Sequence, residues 1–171
     1  LMSVARNMSL AALRVLTRAG QVRRGQEAAE VARGIAEVRI KTESPQIGIT
    51  SLSGGNQQKV VIAKALMTAP RMILLDEPTR GIDIGAKSDI FSTMARVARS
   101  GVGILFATSE LSEALNASTR LVIMARGRIA ADLDPRTATR DQVMAATGEQ
   151  ITSASDSTGS SDSSDPKDSQ S

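Results

Sequence analysis

Cysteine and histidine are both missing from this 171-residue chain, as are tryptophan and tyrosine. Without cysteine there is no disulfide, thiolate zinc site or sulfur nucleophile. Without histidine there is no imidazole base and no imidazole metal ligand. Any proton transfer or metal binding must therefore rest on carboxylates and bound cations. Aromatics amount to 1% of residues against 41% hydrophobic, so the core is built from Leu, Ile, Val, Ala and Met. The scarcity of rings also removes the platform on which nucleic-acid bases stack, and the arginines are scattered along amphipathic segments, so no nucleic-acid partner is expected. Long apolar runs are lacking too. Val60–Met67 and Met72–Leu75 are interrupted by Lys64, Pro70 and Arg71, short of the roughly 18 residues a membrane span needs. The first residues have no basic head followed by an apolar block, the pattern of a secretory leader.

The net charge of +3 conceals a split. Residues 151–171 hold Asp156, Asp162, Asp165 and Asp168 against Lys167, leaving the preceding body more basic. From about Ser153 the Ser/Asp-rich composition cannot bury enough apolar surface to fold, so a disordered tail is expected over 151–171.

Hydrophobic periodicity organises the rest. Val4, Met8, Ala11 and Val15 form one helical stripe, and a basic turn spans Gly20–Gly25. A second amphipathic helix is predicted from about Gln26 to Val38, with Ala28, Val31, Ala32 and Ile35 inward. Lys41–Ile49 reads as a loop holding Pro45 and Gly48, which makes 1–50 a small helical lobe. The loop Ser51–Gly55 then opens a helix through Met67. Its later part, Val60–Met67, is apolar nearly all round and is expected to be buried, and Pro70 ends it. Met72–Leu75 has the unbroken apolar character of a strand covered on both faces. A helix over Ile84–Arg99, with Ile90, Met94, Val97 and Ala98 inward, leads to a strand over Gly103–Thr108. A short helix Leu111–Asn116, a hairpin of Leu121–Ala125 and Arg128–Ala131 around Gly127, and a helix Arg140–Ala146 complete the order. Alternating strands and helices predict an α/β fold with a mostly parallel sheet.

Two stretches carry chemistry. In Leu52-Ser53-Gly54-Gly55-Asn56-Gln57-Gln58-Lys59, a serine and two glycines stand at a helix start. There the backbone can approach an anion closely, and free N–H groups with the positive dipole end point at it. The same serine also suits an ordinary helix cap. About twenty residues on, Met72-Ile73-Leu74-Leu75 ends in Asp76-Glu77-Pro78-Thr79. This sets two carboxylates at the C-terminal edge of a strand, where α/β sheets bind ligands. Asp76 can hold Mg²⁺ through water, since Mg²⁺ takes one or two carboxylates plus phosphate oxygens. Glu77 can orient or deprotonate an attacking water.

Together these stretches resemble the ABC ATPase family, with the signature loop at Leu52–Lys59 and the Walker B strand at Met72–Glu77. The resemblance runs from Leu1 to about Gly148. Gly-Gly-Asn-Gln-Gln-Lys at 54–59 and Asp-Glu-Pro-Thr-Arg-Gly-Ile-Asp at 76–83 are similar to the second cassette of tandem ATPases in bacterial sugar importers of the ribose/xylose/galactoside type. The resemblance implies a partial P-loop NTPase fold. In it, 1–50 is part of the helical subdomain and 51–150 is the C-terminal half of the ATPase core. It implies ATP and Mg²⁺ as cofactors. Ser53, Gly54, Gly55 and Gln57 would contact ATP held by a second cassette, Asp83 would lie at the cassette interface, Asp76 would bind the metal, and Glu77 and Ser109 would be catalytic. Asp83 also suits a helix cap before Ile84. The implied partners are a second cassette (in the same polypeptide or a dimer mate), membrane permease subunits and, indirectly, an extracellular or periplasmic sugar-binding protein. The implied place is the cytoplasmic face of the membrane.

Three departures qualify the resemblance. Ser109 stands where most cassettes have a histidine near the γ-phosphate, and serine can donate one hydrogen bond but cannot carry a proton near neutral pH. Asn56 stands where many cassettes have Gln or Glu. No Gly-x-x-x-x-Gly-Lys-Ser/Thr loop occurs in the chain. In the family that loop precedes the helical lobe, so the expectation is a truncated cassette without activity of its own. Two alternatives remain at this stage. One is an ATPase acting on nucleic acid or ribosomes, which would bring a heptad coiled coil or basic linker, neither seen in the sequence. The other is a non-catalytic remnant.

Overall fold

Two short apolar runs pair in parallel and set the frame for everything around them. The computed structural model describes residues 2–18 and 21–148; the expected tail at 151–171 and the Gly20 end of the basic turn lie outside the described residues. The chain divides into two units, Leu1–Thr119 and Arg120–Ser171.

In the first unit, α1 (Val4–Ser9) passes through a 3₁₀ turn at Leu10–Ala12 into α2 (Leu13–Leu16). Its buried row is Val4, Met8, Ala12 and Leu16, while Ala11 and Val15 face solvent, contrary to the predicted stripe. The segment is apolar on several faces, so periodicity alone could not choose among them; packing against other helices did. Thr17–Arg18 (β1) and Gln21–Val22 (β2) pair antiparallel where a turn was expected. Helix α3 (Arg24–Glu37) buries Val31 and Gly34, and Ala28 and Ala32 are exposed instead of inward. A Cβ on Gly34 would lie 2.8 Å from the Met8 Cε, so glycine permits the close approach of the two helices.

A 3₁₀ turn, Ile49–Ser51, leads into α4 (Gly54–Leu66). Its Val60, Ile62 and Ala63 share one core with Val4, Met8, Val31, Val38, Ile90 and Met94. Each large side chain removed from water there stabilises the fold by about 1.5–3 kcal/mol. Val61 is exposed, so α4 is not buried all round as predicted. Strand β3 (Met72–Asp76) and strand β4 (Gly103–Ala107) pair in parallel from Met72↔Gly103 to Asp76↔Ala107, joined by α5 (Ile84–Arg99). This is a βαβ unit. Asp83 caps α5 by accepting the Ala86 N–H at 2.9 Å. Ile90, Thr93, Met94 and Val97 face inward, and Ala98, expected there, does not. Strand β3 was expected to be covered on both faces, but only one is. Ile73 is buried, whereas Leu74 is 70% exposed and Met72 and Leu105 stand out beside it. A continuous apolar strand is the pattern of a two-sided core, and a two-stranded ladder packed on one side uses half of it. Helix α6 (Leu111–Ala117) closes the unit.

The second unit is a hairpin of β5 (Leu121–Ala125) and β6 (Arg128–Leu133) with α7 (Arg140–Thr147). Arg126 and Gly127 both have positive φ, 52° and 75°, as a two-residue type I′ turn requires. A capping box between Thr139 and Gln142 starts α7, and left-handed Gly148 ends it. No helix among the described residues is long and apolar enough to cross a membrane.

Candidate functional site

The glycine loop and the start of α5 are built as one piece. Gly55 is buried, and a Cβ there would meet the Ala86 Cβ at 2.7 Å. Gly54 is different: a Cβ on it would meet nothing within 4 Å. One glycine thus brings two helices together, and its neighbour leaves open space at the helix start. Ser53 precedes α4 in extended conformation without a side-chain cap bond. Its Oγ accepts the Asn56 Nδ2–H at 3.0 Å, so its own proton is left to donate outward. Asn56 Oδ1 in turn accepts the Lys41 N–H at 2.9 Å, fastening the loop to the preceding segment. The Gln57 amide is turned back to the Leu52 carbonyl at 2.8 Å. An open cleft of about 380 Å³ lies here, lined by residues including Lys41, Ser53, Asn56 and Lys59. Lys59 is only 5% exposed, and its Nζ lies 3.2 Å from the Asp89 carboxylate across the α4–α5 contact. A lysine this buried requires a partner. Lys59 pulls the Asp89 carboxyl below its ordinary range by hydrogen bonding.

The second group forms at the C-terminal ends of β3 and β4. Because Asp76 lies opposite Ala107, the chain beyond each strand emerges side by side. Asp76 is exposed at this edge. Among the described residues no cluster of three or more ligating side chains exists. A cation at Asp76 would therefore draw its other ligands from water and phosphate oxygens, the coordination Mg²⁺ prefers. Glu77 donates its N–H to the Ala107 carbonyl at 2.9 Å and has φ 44°. A left-handed glutamate is strained, and it is held by the bond its side chain makes. Glu77 Oε1 accepts the Ser109 backbone N–H at 2.9 Å. So Glu77 and Ser109 do meet, through the backbone of Ser109 rather than its hydroxyl. Among the described residues no hydrogen bond or ion pair joins this edge to Ser53, Gly54 or Gln57.

Sequence reasoning missed a buried polar group behind the edge. Glu113 on α6 is 8% exposed and accepts from Thr79 Oγ1 at 2.8 Å, Thr108 Oγ1 at 2.9 Å and Lys87 Nζ at 3.0 Å. Burial opposes its ionisation, but the donors Thr79, Lys87 and Thr108 outweigh it and hold the carboxyl below its usual range. Hydrogen bonds to Glu110 and Glu113 hold the Lys87 ammonium above its ordinary value. A glutamate on the inward face of a short helix was the only sequence signal available.

The ABC transporter family profile matches residues 2–80. The chain is 43% identical over 145 residues to a xylose import ATP-binding protein of Pseudomonas syringae pv. tomato, 85% of this chain and 28% of that protein. It is 45% identical over 148 residues to the Pectobacterium atrosepticum protein of the same name, with the same coverage of 85% and 28%. To a ribose import ATP-binding protein of Streptomyces avermitilis it is 42% identical over 145 residues, 85% of this chain and 29% of that one. The chain thus spans little more than a quarter of the length of these relatives. In fold it is similar to a solved ATP-binding cassette of an ABC transporter (TM-score 0.68, 24% identity, 78% of this chain and 55% of that one). It is also similar to a dimeric cassette in a post-hydrolysis state bound to ADP and phosphate (TM-score 0.66, 22% identity, 80% and 58%). The chain belongs to the ABC transporter family, and its fold is that of part of an ATP-binding cassette.

Proposed function

We propose that this chain is part of the ATP-hydrolysing component of an ABC importer for carbohydrates. The observation that carries the reading is identity of 42–45% to xylose and ribose import ATP-binding proteins over 85% of the chain, a stretch that includes both the glycine loop and the carboxylate edge. In this reading the loop serves ATP held by a second cassette. The N–H groups at the start of α4 and the free Ser53 proton bind its terminal phosphate, and the space over Gly54 admits the anion. Gln57 borders the same phosphates, and Asp83 lies at the interface between cassettes. The carboxylate edge serves ATP held by the chain's own cassette. Asp76 would hold Mg²⁺, whose charge would stabilise the phosphates, and Glu77 would orient the attacking water, with Ser109 beside it. Permease subunits in the membrane receive the motion, a sugar-binding protein acts through them, and the chain works at the cytoplasmic face of the membrane.

The open space at Gly54 suits the test, because the Cβ of an aspartate there meets nothing within 4 Å. Residues 1–148 replace the matching segment of the Pectobacterium atrosepticum protein, and ATP hydrolysis by the chimera is measured. The chimera should hydrolyse ATP, and Gly54→Asp should abolish turnover by repelling the phosphate. Unchanged turnover in that variant would remove the loop from the site.

A further inference from the structure

Glu77 is half-buried on a left-handed backbone, and one hydrogen bond, from the Ser109 N–H, aims its carboxylate. What keeps the donor of that bond in place is visible one layer deeper. Thr79 lies two residues beyond Glu77 and is 1% exposed. Its hydroxyl reaches both oxygens of Glu113 at 2.8 Å. Thr108 immediately precedes Ser109, and its hydroxyl donates to Glu113 at 2.9 Å while accepting the Glu110 N–H at 3.1 Å. The turn between Glu77 and Asp83 is itself closed by Arg80 N–H to the Glu77 carbonyl and Ile82 N–H to the Thr79 carbonyl. The bonds form a closed ring, from Glu77 along the chain to Thr79, across Glu113 to Thr108, along the chain to Ser109, and back to Glu77. Lys87 on α5 neutralises the buried carboxylate and ties the ring to the helix that follows Asp83.

We propose that Glu113 is the positioning residue for Glu77, holding the Thr79 and Thr108 segments at the spacing that lets the Ser109 N–H fix the Glu77 carboxylate. The inference rests on the reading of Glu77 as the group that orients water. It adds that a buried residue on α6 decides where that group points. A carboxylate suits the task because it alone accepts from three donors at once, and every donor here supplies an O–H or N–H. A neutral apolar residue in its place would leave two threonine hydroxyls and an ammonium without acceptors.

The role depends on hydroxyls, so a pair of opposed substitutions separates it from packing. Thr→Val keeps the shape and removes the donor; Thr→Ser keeps the donor and removes a methyl. Hydrogen–deuterium exchange of the Ser109 amide is followed by NMR in the 171-residue chain, with the Ile90 and Val97 amides of α5 as internal reference. Thr79→Val and Thr108→Val should each speed Ser109 exchange at least about tenfold relative to the reference, the scale of a lost bond to a charged acceptor. Thr79→Ser and Thr108→Ser should stay within about twofold of the unmutated chain. Unchanged exchange in the valine variants, or equal loss in the serine variants, would overturn the proposal. Should a valine variant lose protection in α5 as well, the serine variants decide alone: retention at Ser109 supports the ring and loss refutes it. No nucleotide enters this measurement, so its outcome stands apart from that of the chimera.

Discussion

Gly55 offers the sharpest physical test of how the glycine loop is held. An alanine Cβ at this position would sit 2.7 Å from the Ala86 Cβ, with the Ile82 Cγ2 a further neighbour at 3.9 Å. Two carbons prefer about 3.5–4.0 Å, so α4 and α5 must separate by nearly an ångström. The obstacle is a short side chain on a helix, with no flexible tip to swing aside. Lys59 and Asp89 join the same two helices one turn further on and resist the separation. Overpacking of this kind costs about 1–3 kcal/mol, against a gain of up to about 1 kcal/mol from replacing a helical glycine by alanine. The balance for Gly55→Ala therefore runs from about zero to about 3 kcal/mol of net destabilisation, so the double variant is the decisive one. Ala86→Gly alone loses about 1 kcal/mol of helix propensity, yet in the double variant it removes the clash. The pair should then be more stable than the sum of the two single changes by at least about 1 kcal/mol. Urea unfolding followed by far-UV circular dichroism is the assay, since the chain has no tryptophan or tyrosine to report by fluorescence. Strict additivity of the two changes would show that the close approach carries no energy.

Further outcomes follow from the same geometry. The Glu113 carboxyl is held below its ordinary 4.5, so its ionised form contributes stability that is complete above pH 4.5 and lost as pH falls through the lower folded value. Glu113→Gln should flatten that acid limb in urea titrations between about pH 3 and 6, and an unaltered slope would refute the assignment. Ser109→Ala should leave stability within about 0.5 kcal/mol, because the Ser109 backbone N–H holds Glu77. Ser109→Pro deletes that donor and should abolish turnover in the chimera; equal turnover in the two variants would contradict the backbone role. The bare face of β3 and β4 should drive self-association. Leu74→Lys should reduce it in sedimentation velocity at little cost to stability, and a loss above about 2 kcal/mol would mean that Leu74 is buried.

Much of this architecture was legible locally. The limits of α5 came from a capping aspartate and a helical apolar row, and the βαβ order from two four-to-five-residue apolar runs separated by that helix. Residues 76–77 could be set at a strand end because apolar character stops there abruptly. These signals lie within a few residues of what they specify. Where several faces were equally apolar, as at Leu10–Leu16, local pattern could not select the buried one.

The linear chain therefore determined most of the elements, though not the β1–β2 pair, roughly where they begin, and which residue types are available for chemistry: carboxylates and backbone N–H groups, in the absence of histidine and cysteine. The tertiary structure decided how those residues are used. It divided Gly54 from Gly55, giving open space to one and the contact with Ala86 to the other. It also used the backbone of Ser109 to hold Glu77, and gathered Thr79 and Lys87 onto Glu113 across 34 and 26 residues of chain. Such contacts leave no periodic trace in a sequence, because a hydrogen bond closes through space and depends only on where two segments happen to pack.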